Sequence, residues 1–261
     1  MVEVLNVDEL DKLQKFRLTV RETVHVLNTS MSDIVDEDAM HQYLKKLGDY
    51  IGSPNGKVTA SIFIKRYAFL AVIFMYGITA RNKMINTSLE NTLIQTDSED
   101  RLWLPQFYLL DQHVESLCEN REDWREKAIK KLFSENINVV INKVAKVTKQ
   151  SKLILWENIA IYLFWLYETN LLESEDLTIR NRAKEDCDYL FREAPGKLFG
   201  AYHNNPLKRY DNPKSFVEHI GETVRVRKTC CFSYLLEGSS KRCKTCPQTC
   251  NVRRSTNERT V

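Results

Sequence analysis

Residues 58–79 read VTASIFIKRYAFLAVIFMYGIT and are the longest apolar stretch in a chain of 261 residues. Apolar side chains lie almost all round a helix of this sequence, which predicts a helix at the centre of the fold. Its uninterrupted apolar part, 67–78, is flanked by Arg66 and Arg81. A membrane-spanning helix needs about 20 apolar residues. We therefore expect a core helix in a protein that does not span a membrane.

Helical periodicity occurs on both sides of this stretch. Upstream, apolar residues at three- and four-residue steps predict helices over 8–28 and Glu37–Tyr50. Downstream, the same spacing predicts helices over 123–147, 153–171 and 176–192. Most of the chain is therefore expected to be helical.

Between these helices, about residues 83–110, the pattern changes to that of a β-hairpin. Apolar and polar residues alternate over 85–93, a polar turn follows at 96–100, and 102–110 is rich in aromatic and branched residues. Pro105 places the second strand at an edge or a break. The predicted fold class is α+β, mainly helical, with a small antiparallel sheet packed on the helices.

The chain is predicted to divide into a helical body, 1–221, and a C-terminal segment, 222–261. A short strand is expected at 223–227. The segment is too short and too polar to fold around its own core, so it must dock on the body or be held by a metal site. It carries nine Lys or Arg against three Glu, a positive charge that would attract an anionic partner.

We expect a cytoplasmic protein. The acidic start of the chain lacks the basic and apolar pattern of an export signal. Glu157 and Asn158 lie inside the second apolar stretch and argue against lipid contact. Because cytoplasmic thiols are kept reduced, clustered cysteines there favour a metal site over disulfides.

Five of the seven cysteines lie between Cys230 and Cys250, whereas Cys118 and Cys187 stand alone and are interpreted as small buried apolar residues.

Four thiolates can hold one zinc ion or a 2Fe-2S cluster. Cys243 and Cys246 have the usual two-residue spacing of a metal-binding pair. Cys230 and Cys231 are adjacent, and adjacent side chains of an extended segment point to opposite faces. This favours a two-iron cluster over zinc, and the odd number of cysteines disfavours disulfides.

The cysteine pattern resembles the ferric-siderophore reductase family typified by FhuF. Members end in a Cys-Cys pair, a gap of about ten residues, then Cys-x-x-Cys followed by Pro. Here Cys230-Cys231 is followed, after eleven residues, by Cys243-Lys-Thr-Cys246-Pro247. Asn205-Pro-Leu207 and Lys65-Arg66 resemble the family more loosely. The resemblance covers most of the chain, but only its last forty residues are specific.

The resemblance implies a 2Fe-2S cluster held by Cys230, Cys231, Cys243 and Cys246, with Cys250 as a spare thiol that could replace one of them. It also implies one-electron reduction of siderophore-bound Fe(III) and release of Fe(II) in the cytoplasm. The chain shows no nicotinamide or flavin fingerprint, so an electron-donor protein of the ferredoxin or flavodoxin type is expected. The other expected partner is the ferric siderophore itself. The protein is expected to work near a siderophore importer without spanning the membrane, and no nucleic acid is expected.

Arg66, Arg227 and Lys228 are the candidate substrate-binding residues, because their charges could meet an anionic siderophore. No catalytic residue is predicted beyond the cluster ligands. Two other functions stay open from the sequence. One is a zinc-stapled binding module with a basic tail, and the other is a non-catalytic iron–sulfur protein that senses redox state or binds siderophores.

Overall fold

A computed structural model describes residues 2–96, 103–117 and 120–250 of the chain. The α-helices of this part are α1 Val7–Gln14, α2 Met31–Ile34, α3 Glu37–Tyr50, α4 Gly56–Arg81, α5 Arg121–Leu132, α6 Asn138–Thr148, α7 Lys152–Trp165 and α8 Leu177–Asp188. Its strands are β1 Val2–Val4, β2 Leu18–Thr19, β3 Thr29–Ser30, β4 Lys83–Ile85, β5 Thr92–Gln95, β6 Gln106–Leu109, β7 His113–Ser116, β8 Ser215–Val217 and β9 Glu222–Val224. The α+β, mainly helical fold class is confirmed.

Helix α4 is the centre of the fold, as its sequence predicts. Asn55 caps its start by accepting hydrogen bonds from the backbone N–H groups of Lys57 and Val58, and Asn82 ends it in a left-handed conformation. By length and composition α4 could cross a membrane, but 89% of its most apolar window is buried inside the protein. It packs most extensively on α7 and also contacts α3, α6 and α8. This central helix positions the functional site, which lies near its N-terminal half.

The predicted downstream helices are present, each with a turn of π-helix. Residues Phe133–Ile137 join α5 to α6, Leu166–Leu171 extend α7, and Tyr189–Glu193 extend α8. In these turns the hydrogen bonds span one residue more than in an α-helix. The apolar side chains after each π-turn are therefore rotated about the helix axis, while the helix itself continues.

The predicted antiparallel hairpin is present as β5 and β6, in which Leu93 pairs with Tyr108 and Ile94 with Phe107. The single strand expected over 85–93 is wrong. Its first part is β4, which pairs with β7 in a second sheet of order β1-β7-β4. The buried side chain of Asn91 donates to the backbone oxygens of Asn86 and Asp111 and so fixes a bend. Most of the predicted turn, 97–100, lies outside the described residues.

The helix predicted over 8–28 is also wrong beyond Gln14. Arg17 adopts a left-handed backbone conformation with φ of 73°, which a continuous helix does not allow. Leu18 and Thr19 then pair in parallel with Phe107 and Tyr108 of β6. Leu27 is buried by tertiary packing, and its backbone oxygen accepts a hydrogen bond from the Tyr43 hydroxyl at 3.2 Å. A three- to four-residue apolar spacing therefore arose here without a helix.

Of the strand predicted at 223–227, only Glu222–Val224 forms, as β9, and it pairs with β8. Residues 225–250 continue without a further strand; within them Cys231 contacts α4 and Arg227 contacts α7. The division of the chain at residue 221 stays a prediction.

Candidate metal centre

The backbone just before the cysteine pair is held by Glu157 of α7. The Glu157 carboxylate accepts hydrogen bonds from the backbone N–H groups of Lys228 at 2.5 Å and Thr229 at 2.8 Å, and from the Thr229 hydroxyl. Its side chain is 1% exposed. A buried carboxylate needs such donors to offset its lost hydration, so Glu157 fixes the course of the chain into Cys230.

Arg227 completes this anchor from the C-terminal segment. It is 4% exposed, lies 3.6 Å from the Glu157 carboxylate and donates to the Asn158 side-chain oxygen at 2.6 Å. Asn158 in turn donates to the backbone oxygen of Ser61 on α4 at 2.9 Å. The Ser61 hydroxyl donates to the backbone oxygen of Cys231 at 2.8 Å. Helix α4 therefore contacts the backbone of the cysteine pair directly, and α7 holds the residues just before it.

The four predicted ligand thiols lie as two pairs. Cys231 and Cys243 are within hydrogen-bonding reach of each other, and so are Cys230 and Cys246. The adjacent residues Cys230 and Cys231 therefore meet different partners, as expected for side chains that point apart. A backbone hydrogen bond from Cys246 N–H to the Cys243 oxygen, 3.0 Å, turns the chain between these two cysteines.

Polar donors and positive charges surround the thiols. The Lys65 ammonium lies 3.8 Å from Cys231 Sγ, the Ser233 hydroxyl lies 3.2 Å from the same sulfur, and the backbone N–H of Phe232 donates to Cys230 Sγ at 3.4 Å. The hydrogen bond from Cys243, followed by the charges of Lys65 and Arg227, lowers the pKa of Cys231. At Cys231 the surroundings therefore favour the thiolate, which is the form that binds metal, whereas burial raises the pKa of Cys230 and the hydrogen bond with Cys231 raises that of Cys243.

This donor set fits a 2Fe-2S cluster. Such a cluster takes two thiolates on each iron, and two thiol pairs are present. Over the described ranges, no group of three or more His, Cys, Asp or Glu side chains is close enough to hold one ion. N–H and O–H donors to sulfur are the contacts that stabilise and tune such clusters. The assignment of the four individual ligands stays a prediction.

The remaining predicted residues have different surroundings. Arg66 is half-buried, Lys228 is exposed and Arg227 is engaged inside the protein. Substrate binding by these three residues stays a prediction. Cys250 is buried and its thiol donates to the backbone oxygen of Lys244 at 3.0 Å, which accounts for it without a metal. Cys187 packs against the core, and Cys118 lies outside the described residues.

Sequence reasoning did not identify Ser61, Lys65, Glu157 or Asn158 as parts of the site. The signal was present in their placement, since each is a polar residue within a strongly apolar helix. Such residues need buried partners. The sequence could not name those partners, because they lie about 70 to 170 residues away.

Comparison with known families agrees with the site. Residues 61–214 match the family described as "Ferric iron reductase FhuF-like transporter". Residues 227–248, which include the four paired cysteines, match the family described as "FhuF 2Fe-2S C-terminal domain". The second match identifies the cofactor as a 2Fe-2S cluster, in place of the zinc ion that the sequence left open. No curated protein matches the chain.

Proposed function

The chain belongs to the FhuF-like ferric iron reductase family, and from this premise we propose that it reduces Fe(III) held by a siderophore and releases Fe(II) in the cytoplasm. The observation that carries this proposal is the position of the cysteine pairs. They pack against α4 and α7, and Cys231 lies beside the positive charges of Lys65 and Arg227. This supports a redox role for the family's cluster.

A 2Fe-2S cluster held by these cysteines would supply one electron to the ferric ion of the substrate. Hard oxygen donors hold Fe(III) far more tightly than the less charged Fe(II), so a one-electron change is sufficient to release the metal. The protein needs no nucleophile or general acid for this reaction. Lys65 and Arg227 stabilise negative charge on the thiolates, and the Glu157 and Ser61 contacts hold the cysteine backbone in place.

The electron reaches this site from a separate donor protein of the ferredoxin or flavodoxin type. Lys228, Lys241 and Lys244 are exposed around the cysteine segment. Their charges suit an acidic donor, because opposite charges speed association. Release of Fe(II) on the cytoplasmic side, next to a siderophore importer, would complete uptake.

Single-turnover reduction tests this function. Protein purified without oxygen is reduced with dithionite, freed of excess reductant and mixed with a ferric siderophore and a ferrous-specific chelator. We expect about one ferrous ion per reduced cluster. The visible absorption of the cluster, which reduction lowers, should return at the same rate as the ferrous chelate forms. Cys187→Ser, which changes a cysteine outside the four predicted ligands, is the control variant and should release the same amount of Fe(II) as the wild type. A cluster that stays reduced in the presence of ferric siderophores would instead indicate a sensor or a binding protein.

A further inference from the structure

Two half-buried arginines, Arg17 just before β2 and Arg66 of α4, lie around the neighbouring rings of Phe69 and Tyr162. Arg66 of α4 donates to the Tyr162 hydroxyl of α7 at 3.5 Å. Arg17 lies near enough to Arg66 for the two positive charges to repel, and this repulsion, after burial, lowers the pKa of Arg17. Two like charges in a partly buried place are unfavourable unless something anionic offsets them.

No carboxylate offsets them within residues 2–96, 103–117 and 120–250. Several other arginines of that part do meet one, such as Arg121 with Asp186 and Arg225 with Glu168. Arg17 instead donates to the backbone oxygen of Leu104 at 3.1 Å, and the Nε of Arg66 is buried without a hydrogen-bond partner. The Nε atoms of Arg81, Arg125, Arg182 and Arg225 are unpartnered too. The feature that a bound oxyanion would offset is therefore the pair of neighbouring positive charges without a carboxylate.

Aromatic rings surround the two arginines. The Arg17 guanidinium lies 5.2 Å from the centre of the Phe69 ring. The Phe69 ring contacts the ring of Tyr162 at 4.7 Å and that of Trp165 at 6.1 Å between centroids. Trp165 is 37% exposed, which is unusual for so large an apolar side chain. We name Arg17, Arg66, Phe69, Tyr162 and Trp165 the arginine–aromatic surface.

This surface adjoins the candidate metal centre. Arg66 follows Lys65, whose ammonium lies 3.8 Å from Cys231 Sγ. Tyr162 lies four residues after Asn158, which holds Arg227, so both are on one face of α7 about 6 Å apart along its axis. A ligand on the arginine–aromatic surface would therefore lie one helical turn from the residues that support the cysteines.

We propose that the arginine–aromatic surface binds the substrate and selects ferric chelates of net negative charge over neutral ones. This inference rests on the proposed function. Three hydroxamate groups balance the charge of a ferric ion, whereas catecholate or additional carboxylate groups leave the complex negative. Arginine pairs well with such planar oxyanions, and exposed aromatic rings stack on flat chelating groups. The surface thus offers both charge and ring contact to an anionic chelate.

Binding of redox-inert gallium(III) chelates to the holoprotein tests this selection without electron transfer. The probes are an anionic gallium(III) tris-catecholate and a neutral gallium(III) tris-hydroxamate, measured by calorimetry. Arg66→Met should weaken binding of the anionic probe about tenfold and Arg17→Met similarly. The double variant should weaken it further, by less than the product of the two single losses because the two charges are neighbours. Binding of the neutral probe should change less than about twofold. Arg66→Lys should restore part of the affinity because it keeps the charge.

Lys130→Met removes an exposed charge of α5, away from this surface, and is the matched control. Unchanged circular dichroism and cluster absorption establish that a variant is folded. If Arg17→Met does not fold, the Arg66→Met and Arg66→Lys pair gives the answer alone. Equal losses for both probes, or no loss for either, would overturn the inference while leaving single-turnover iron release intact. Failure of iron release with every ferric chelate would instead remove the proposed function, whatever the gallium probes show.

Discussion

The ammonium of Lys65 lies 3.8 Å from the sulfur of Cys231, although the two residues are 166 positions apart in sequence. Lys65 belongs to the central helix and Cys231 to the C-terminal segment. The contact therefore joins the core of the body to the predicted cluster ligands. It places one positive charge where a reduced cluster gains negative charge.

Removing that charge should lower the reduction potential. We expect Lys65→Met to shift it downward by tens of millivolts, where about 59 mV corresponds to a tenfold change for one electron. A redox titration followed by visible absorption measures the shift. Lys65→Arg keeps the charge and should stay near the wild-type value, and Lys130→Met controls for loss of any cation. An unchanged potential in Lys65→Met would exclude this role.

Glu157 should be required for stability. In Glu157→Gln the buried Arg227 loses its counter-charge, and the backbone N–H groups of Lys228 and Thr229 lose part of their acceptor. We expect the free energy of unfolding in urea to fall by about 3 kcal/mol. The exposed Glu218→Gln should stay within about 0.5 kcal/mol of wild type. Glu157→Gln combined with Arg227→Met should cost less than the two single changes added together; simple additivity would argue against the pair.

The cysteines should separate into two classes by metal content. Serine at Cys230, Cys231, Cys243 or Cys246 should remove most iron and acid-labile sulfide, because each thiol is predicted to be a ligand. Serine at Cys250 should retain both, since that thiol already donates to the Lys244 backbone. Quantitative iron and sulfide assays on protein purified without oxygen show which cysteines are cluster ligands. Loss of the cluster in Cys250→Ser would make Cys250 a ligand.

The contact between Gly52 and Glu237 should tie the C-terminal segment to the body. Gly52 has a φ of +60°, and a Cβ there would lie 2.5 Å from the Cβ of Glu237. Gly52→Ala should therefore destabilise the fold and expose the segment to limited proteolysis. Gly221→Ala is the matched control, because Gly221 has a φ of +65° but open space around it. We expect Gly52→Ala to cost about 1–3 kcal/mol more than Gly221→Ala. Equal costs would show that the contact contributes nothing.

Cys187 should be chemically inert in the folded protein. Burial raises the pKa of its thiol to about 12. It therefore stays protonated near pH 8, and the thiolate is the form that reacts with alkylating reagents. Peptide mass spectrometry after brief iodoacetamide treatment should find Cys187 unlabelled in native protein and labelled in urea. Rapid labelling in the native state would contradict the burial.

The sequence predicted those elements whose pattern is local. The bounds of α3, Glu37–Tyr50, follow from apolar side chains on one face of the helix, and the central position of α4 follows from apolar side chains on all its faces. The prediction of a helix over 8–28 was wrong because Leu27, one of its apolar positions, is not helical. It is buried by tertiary packing next to Tyr43, whose hydroxyl donates to the Leu27 backbone oxygen. The strand over 85–93 failed because the hydrogen bonds of Asn91 bend the chain.

The candidate site likewise has a part that local sequence predicts and a part that only long-range contacts create. Cys243 and Cys246 are close in sequence, and their spacing alone indicates a metal. The supports of the site, Ser61 and Glu157, contact the cysteine segment across long sequence separations. No periodicity encodes such a contact. Only the folded chain shows that these polar residues of apolar helices face the cysteines.

The most direct test of the account is the metal content and resonance spectrum of protein purified without oxygen. We expect about two iron and two sulfide per chain. We also expect a paramagnetic signal that appears with dithionite and disappears when a ferric siderophore is added. Protein that contains neither iron nor sulfide under these conditions, or that contains zinc instead, would contradict it.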